Sequence, residues 1–314
     1  MDLLVSEGFF VRIIDNLSTG HLANISKHSD SSSVELLDKN ICELSSSDSY
    51  FKQVDWVFHL AGLGDIVPSI EEPASYFQTN VQGTVQVLEA ARNAKVQKFI
   101  YAASSSCYGL ASIPTNESHN INPLYPYAMS KYLGESAVFH WSNVYGLAVN
   151  SICIFNAYGP RVRTKGAYGA VFGVFFKQKL SGFPLTIVGD GSQTRDFIHV
   201  VDVARAFLLA ASNSVAGERF NIGAGNPKTI LELANIIGGQ KEFIPDRPGE
   251  PRHTFADITK ARGYLSWSPS IDFSEGVSEM LKDINLWSDA PLWTSESISK
   301  ETENWFRFMS NKWS

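Results

Sequence analysis

The fold is decided by residues 98–131, whose sequence is KFIYAASSSCYGLASIPTNESHNINPLYPYAMSK. The stretch opens with a short apolar run, Lys98 to Ala102, which predicts a buried strand. A serine-rich turn and a proline-containing loop then lead to a segment from Tyr127 to Tyr145, where apolar residues recur three and four apart. Because this is the period of a helix packed on one side, the stretch predicts a strand followed by a crossover helix, the unit of a parallel sheet.

The same alternation extends through the first half of the chain. Further strands are predicted at 10–14, 54–60 and 147–154, and a long helix at 73–94. The chain opens with a helical stub, Met1 to Glu7, which Gly8 should end. After about Tyr158 the elements shorten and Gly and Pro become frequent. We therefore predict an α/β protein with one domain over 1–157 and a smaller α+β lobe over 158–314, of which 190–206 may return to the first domain.

Composition excludes several classes of function. With 314 residues, 44% of them hydrophobic, the chain can bury one large core or two modest ones. A net charge of −6 with scattered Lys and Arg argues against nucleic acid as a partner. Three cysteines without paired spacing indicate free thiols in a reducing compartment, and no zinc pattern exists. No run approaches the ~18 apolar residues of a membrane span, so we expect a cytoplasmic protein that uses neither membrane nor metal.

Tyr127 and Lys131 are the first candidate catalytic residues. Side chains four apart share one helix face, so the ammonium can lie beside the phenol and stabilise the phenolate. A free phenol has a pKa near ~10 and is a poor base at neutral pH unless nearby positive charge lowers that value. The alternatives are that both are ordinary helix residues, and that the serine run only caps the preceding strand.

Together, the strand, the segment Ser-Ser-Ser-Cys-Tyr-Gly at 104–109, the loop and the Tyr-x-x-x-Lys helix resemble the extended short-chain dehydrogenase/reductases, specifically the nucleotide-sugar epimerases. The resemblance implies a Rossmann-like doubly wound parallel sheet, NAD as cofactor and a UDP-sugar as substrate. It implies Ser104 as the catalytic serine, Tyr127 as the base and Lys131 as its assistant. Ser105 and Ser106 would lie beside the sugar.

The cofactor side begins at Asp15 and Asn16, which follow a predicted strand. An acidic residue there can accept both hydroxyls of an adenosine ribose and would repel the extra phosphate of NADP, which favours NAD. Asp at a strand end is also a common turn residue. By resemblance, the cofactor would further contact Asn40, Ile41, Leu60, Ala61, Gly62 and Asn80. Relatives usually carry Asp at the position of Asn40. The alternative for Ala61 and Gly62 is tight packing, and the alternative for Asn80 is a helix-surface or buried structural amide.

The start of the chain departs from the family pattern. In the family a strand and a glycine-rich turn precede the first helix, and the turn holds the pyrophosphate. Here Met1 falls within that helix, so we expect the sheet to lack its first strand. Either the start is misplaced or truncated, or the fragment is real and has impaired NAD binding and an exposed sheet edge.

Three later motifs indicate the substrate side. By resemblance, Asn156 would meet the diphosphate, Arg195 would pair with a phosphate, and Arg247 with Glu250 would hold phosphate and ribose. The small Thr254 stands where a bulky residue excludes N-acetylated sugars, so UDP-N-acetylhexosamines are expected to fit. The alternative for each arginine is a solvated surface charge.

The type of reaction is predicted from the residues expected to lie near the base, Tyr127. Dehydratases and decarboxylases of this family place an acid two residues after the position of Ser104, and here that residue is Ser106. Oxidation and re-reduction of one carbon is then the simplest chemistry, which is epimerisation at C4. The alternatives are another nucleotide-sugar oxidoreductase and a remnant without turnover. By analogy, the helices from Pro73 and Tyr127 would pair in a homodimer.

Overall fold

The structure is a computed structural model that describes residues 1–164 and 170–310. Over these residues the strands are β1 Val11–Asp15, β2 Val34–Asp38, β3 Trp56–His59, β4 Lys98–Ser104, β5 Val149–Ile154, β6 Asn156–Tyr158, β7 Leu185–Val188, β8 Thr194–Arg195, β9 Phe197–His199, β10 Glu218–Ile222, β11 Lys228–Thr229 and β12 Lys241–Ile244. The α-helices are α1 Asp2–Ser6, α2 Ile66–Glu71, α3 Pro73–Phe77, α4 Thr84–Asn93, α5 Pro126–Tyr145, α6 Val171–Leu180, α7 Val200–Ser212, α8 Ile230–Ile237, α9 Thr259–Leu265, α10 Phe273–Lys282, α11 Ser295–Glu301 and α12 Glu303–Met309.

The main sheet is parallel and has the strand order β10-β5-β4-β3. Helices cover both of its faces, because successive residues of β5 bond to different helices. The Asn150 amide donates to the carbonyl of Ala210 in α7, and the Ser151 hydroxyl donates to Glu135 in α5. The predicted doubly wound α/β fold is therefore confirmed. Both α7 and β10, from the second half of the sequence, belong to this sheet assembly.

Strands β1 and β2 form a parallel pair of their own, in register from Val11 with Val34 to Asp15 with Asp38. The sequence did not predict β2, which follows a serine run and is only partly buried. The preceding α1 matches the predicted stub, and Gly8 follows it with φ of +84°, a conformation that glycine adopts readily.

Two hydrophobic clusters support the molecule. The first packs the main sheet against its helices and includes Phe99, Ile152 and Phe220. The second is centred on Phe176 and Leu233 and includes Val67 and Ala128 from the first half of the chain. The C-terminal helices α11 and α12 contribute Ile298, Trp305 and Met309 to the second cluster. Within the described residues, no helix combines the length and hydropathy needed to cross a bilayer.

The long helix predicted at 73–94 is interrupted. Gln78–Gly83 forms a π-helical stretch between α3 and α4. The Thr84 hydroxyl donates to the carbonyl of Asn80 at 2.7 Å, and this side-chain bond competes with regular α-helical pairing. Apolar periodicity is retained across such a stretch, so the sequence pattern did not reveal it.

Asp202 lies in the first turn of α7 but does not cap the helix. The N-cap is His199, whose ring nitrogen accepts from the backbone N–H of Val201. The fully buried Asp202 carboxylate instead accepts from the backbone N–H groups of Ser270 and Ile271. It therefore anchors the loop that precedes α10.

Candidate active site

The carboxyl ends of the parallel strands bring the first two candidate catalytic residues together. Ser104 ends β4 and Tyr127 lies in the first turn of α5. The Ser104 hydroxyl lies near enough to the Tyr127 phenol to favour its ionised form. The Ser104 oxygen also accepts from the backbone N–H of Ser106 at 3.2 Å. A serine and a tyrosine far apart in sequence are thus placed so that one substrate hydroxyl could contact both oxygens.

Lys131 lies one turn after Tyr127 on α5 and is buried. Its ammonium lies 4.3 Å from the centroid of the Tyr101 ring, a cation–π contact. Burial lowers the pKa of Lys131 to about 8, so the side chain remains mostly cationic at neutral pH.

Burial dominates the pKa of Tyr127 in the chain itself, and the predicted lowering by Lys131 together with an oxidised nicotinamide stays a prediction. Burial raises the pKa of Tyr127 to about 12, although the Ser104 hydroxyl opposes the shift. Tyr127 is therefore a neutral phenol at pH 7, because removal of water outweighs the nearby polar groups.

Asn80 connects the cofactor-side loop to α5. Its amide nitrogen donates to the carbonyl of Leu63 and the hydroxyl of Ser130, and its oxygen accepts from the N–H of Leu63. At Gly62 an added Cβ would lie 2.8 Å from the Asn80 oxygen. The bare backbone at Gly62 is therefore required by this clamp. The geometry agrees with the structural-amide alternative for Asn80 and leaves its cofactor contact a prediction.

The other predicted cofactor residues lie at the ends of β1, β2 and β3. The Asp15 carboxylate accepts from the N–H of Leu17 at 2.7 Å, and a Cβ at Gly20 would lie 3.1 Å from its other oxygen. Asn16 bonds to the hydroxyl of Ser18. Asn40 caps a short turn, because its side-chain oxygen accepts a hydrogen bond from the backbone N–H of Cys42. Ile41 is buried against Gly83. The last two predicted contacts, Leu60 and Ala61, directly follow β3.

A cavity opens next to the candidate catalytic residues. Their chain neighbours Ser105 and Tyr125 line it, whereas Ser104, Tyr127 and Lys131 are not part of its lining. Its lining includes predicted substrate residues from four separate segments, namely Ser105, Ser106, Asn156, Arg195, Glu250 and Thr254. Thr254 donates its hydroxyl to the Asn156 amide oxygen at 2.8 Å and accepts from the N–H of Asp196 at 3.0 Å. Because the amide oxygen of Asn156 is engaged, its NH₂ group is the end suited to a phosphate oxygen.

One ion cluster consists of Arg195, Glu250 and Arg247, of which Arg195 and Glu250 line the cavity. The Glu250 carboxylate forms ion pairs with both arginines, with nitrogen–oxygen distances of 2.6 Å to Arg195 and 3.1 Å to Arg247. Burial alone would raise the pKa of Glu250, but the two guanidinium groups outweigh it and lower that pKa. Two arginines against one carboxylate leave net positive charge, as binding of a diphosphate requires. The arginines are therefore not isolated surface charges.

Two aromatic residues of the cavity were missed by the sequence reasoning. Tyr125 stacks on Tyr127 with ring centroids 6.5 Å apart. Trp305 comes from α12 and lies 5.9 Å from the Tyr125 ring. The Tyr-Pro-Tyr sequence at 125–127 was an available signal for Tyr125. Nothing local marked Trp305, because it reaches the cavity from the C-terminal region.

Comparison with known proteins identifies relatives of this arrangement. Residues 1–223 match the family model described as the NAD dependent epimerase/dehydratase family. The UDP-glucose 4-epimerase of Mycolicibacterium smegmatis is 35% identical over 292 residues, which cover 90% of this chain and 93% of that protein.

Solved structures are similarly close. The UDP-glucuronic acid 4-epimerase from Bacillus cereus, in complex with UDP-glucuronic acid and NAD, has a TM-score of 0.84 and 31% identity, with 91% of this chain and 94% of that chain covered. The UDP-N-acetylglucosamine 4-epimerase from Methanobrevibacter ruminantium, in complex with UDP-N-acetylmuramic acid, has a TM-score of 0.82 and 30% identity, with coverages of 89% and 90%.

Proposed function

The chain belongs to the NAD dependent epimerase/dehydratase family, and from this premise we propose that it is a UDP-sugar 4-epimerase that works through a 4-keto intermediate. The observation that carries the proposal is the placement of Ser104 and Tyr127 next to a cavity that the Arg195–Glu250 ion pair lines. In this arrangement a proton-transfer group would serve the sugar of a nucleotide sugar, and the ion pair would anchor its diphosphate.

Several residues fit the family's cofactor, NAD. The Asp15 carboxylate at the end of β1 suits a ribose, and the bare backbone of Gly62 suits close approach of a dinucleotide. Bound there, NAD would supply the hydride acceptor and donor for the C4 carbon. In our proposal Ser104 orients the C4 hydroxyl. Tyr127 takes the proton of that hydroxyl as a phenolate, which the Lys131 ammonium and the positive charge of oxidised NAD would stabilise, and later returns it.

The groups near Ser104 support epimerisation over elimination chemistry. At the position where an acid would serve a dehydratase, this chain has Ser106, whose hydroxyl is a poor proton acceptor. The adjacent Cys107 is buried, and burial raises the pKa of its thiol to about 12, so it stays neutral. Neither side chain is suited to remove a proton from the carbon next to C4.

For the sugar, we take UDP-N-acetylglucosamine as the first candidate. Thr254 is small, and its hydroxyl is already held by Asn156 and the backbone of Asp196. That arrangement supports room for an N-acetyl group at this wall. UDP-glucose, UDP-galactose and UDP-hexuronates are the competing substrates.

Incubation with catalytic NAD and each UDP-sugar tests the function. We expect the C4 epimer of one substrate by chromatography, with no accumulation of NADH absorbance, because the reaction has no net redox change. Stoichiometric NADH formation would instead indicate the alternative dehydrogenase. A chain that makes no epimer from any of these sugars, while binding NAD in calorimetry, would refute the proposal.

We also propose a homodimer through α3 and α5. Both helices carry large apolar side chains that are exposed in the single chain, among them Phe77 at 36% and Val144 at 54%. A helical face of this kind suits association with a second copy. Sedimentation velocity at micromolar concentration should give the mass of a dimer, and a monomer would contradict the proposal.

A further inference from the structure

Trp305 belongs to helix α12, near the end of the described residues, and it lines the same cavity as Asn156 and Arg195. It is only 3% exposed. The helix is fixed from outside by a hydrogen bond from the Asn304 amide to Glu71 of α2, at 3.1 Å. The indole is therefore held in place by the fold and does not come to the cavity as a mobile tail.

The indole N–H is bonded to the turn that carries the anion-binding cluster. Trp305 Nε1 donates to the carbonyl of Pro248 at 2.7 Å. Pro248 stands between Arg247 and Glu250, and the next residue, Gly249, has φ of +73°. A turn of this kind gains order from any contact that fixes one of its peptide groups. The Trp305 bond thus acts on the positions of Arg247 and Glu250.

The indole ring contacts the catalytic side of the cavity. It packs against Tyr125 at 5.9 Å, and Tyr125 in turn stacks on Tyr127 with an interplanar angle of 10°. One side chain therefore contacts both the diphosphate end and, through Tyr125, the sugar end of the cavity.

We propose that Trp305 is a positioning residue for the UDP-sugar, in which the N–H fixes the Arg247–Glu250 turn and the ring limits the space in which the sugar turns. The inference rests on the proposed epimerase function. It assigns the C-terminal helix a part in the binding site that the sequence did not indicate.

Two substitutions separate the roles of the N–H and the ring. Trp305→Phe keeps an aromatic wall but removes the donor to Pro248, so affinity for UDP, measured by calorimetry at saturating NAD, should fall about fivefold, as expected for one hydrogen bond. The KM for the UDP-sugar should rise by the same factor with kcat within about twofold. Trp305→Leu also removes the ring, and kcat should then fall as well. Phe308→Ala is the control, since Phe308 lies on the same helix at 51% exposure.

Unchanged UDP affinity in a Trp305→Phe protein with wild-type thermal stability would overturn the inference. The UDP arm does not depend on turnover, so it is distinct from failure of the wild type to epimerise any sugar, which refutes the proposed function. Hydrogen exchange on the wild type needs no variant: UDP should slow exchange both in 247–251 and in 303–309. Protection of the first segment without the second would also overturn the inference.

Discussion

At the residue scale, the site contains the neutral phenol of Tyr127 and the ammonium of Lys131, and both are shielded from water by burial. Burial raises the pKa of Tyr127 to about 12 and lowers the pKa of Lys131 to about 8. Both shifts have the same physical cause, the loss of water around a charge. Tyr127 therefore holds its proton in the free chain and needs additional positive charge nearby before it can act as a base.

Replacing Tyr127 by Phe removes only the phenolic oxygen. We expect kcat to fall by at least ~100-fold, the lower range for loss of a general acid–base group, while calorimetric UDP affinity stays within about twofold. Tyr145→Phe, the same change at the exposed end of the same helix, is the control and should leave kcat unchanged. Turnover near the wild-type rate in Tyr127→Phe would remove this residue from the chemistry.

Thr254 is expected to act through Asn156. Thr254→Val deletes the hydroxyl that holds the Asn156 amide oxygen, so the amide can rotate and UDP affinity should fall about fivefold. Thr254→Ser retains both hydrogen bonds and should bind UDP as the wild type does. Equal affinities for the Val and Ser variants would show that the hydroxyl does not orient Asn156.

At the element scale, α5 approaches the π-helical stretch Gln78–Gly83 closely enough to require a glycine. A Cβ on Gly134 would lie 2.5 Å both from the carbonyl oxygen of Asn80 and from the Tyr101 hydroxyl. The Asn80 carbonyl is on a backbone held by Thr84 and cannot move freely. The close approach positions the helix that carries Tyr127 and Lys131.

Gly134→Ala should therefore destabilise the protein. Alanine alone would favour a helix interior by about 1 kcal/mol over glycine, but overpacking costs ~1–3 kcal/mol and should prevail. Gly263→Ala in α9 is the matched control, because nothing lies within 4 Å of its Cβ position, and it should stabilise by up to about 1 kcal/mol. Denaturant unfolding measures both, and two changes of the same sign would contradict the close approach.

The strands and helices that the sequence predicted are those whose formation depends on the pattern of neighbouring residues. Strands β3, β4 and β5 and helix α5 follow from apolar runs and periods within a few residues. The π-helical stretch and β2 depend on partners elsewhere in the chain, as does the Trp305 wall, so no local pattern contained them. For the same reason the family motifs located Ser104 and Tyr127, whereas the raised pKa of Tyr127 appeared only with its burial.

At the scale of the whole molecule, a titratable group is buried where the main sheet meets the site. His59 ends β3 and bonds to Thr84 at 2.9 Å. Burial, aided by the nearby Lys131 ammonium, lowers the pKa of His59 to about 3. The folded chain thus keeps His59 neutral at pH values where the unfolded chain protonates it, near the usual ~6.5.

Stability should therefore fall as the pH drops below about 6.5, because protons then bind the unfolded state preferentially. Between pH 7 and pH 5.5 the contribution of His59 is about 1 kcal/mol of unfolding free energy, from its ordinary unfolded pKa. His199 adds a loss of the same sign, since burial lowers its pKa too. Urea unfolding across this interval measures the sum.

His59→Gln isolates the share of this residue, because glutamine can still hydrogen-bond to Thr84 but does not titrate. The variant should lose about 1 kcal/mol less than the wild type between pH 7 and pH 5.5, whatever its stability at pH 7. The other titrating groups are common to the two proteins, so their contributions cancel in the difference. Parallel pH profiles for the two proteins would mean that His59 is protonated equally in the folded and unfolded chains, which its burial beside a lysine does not allow.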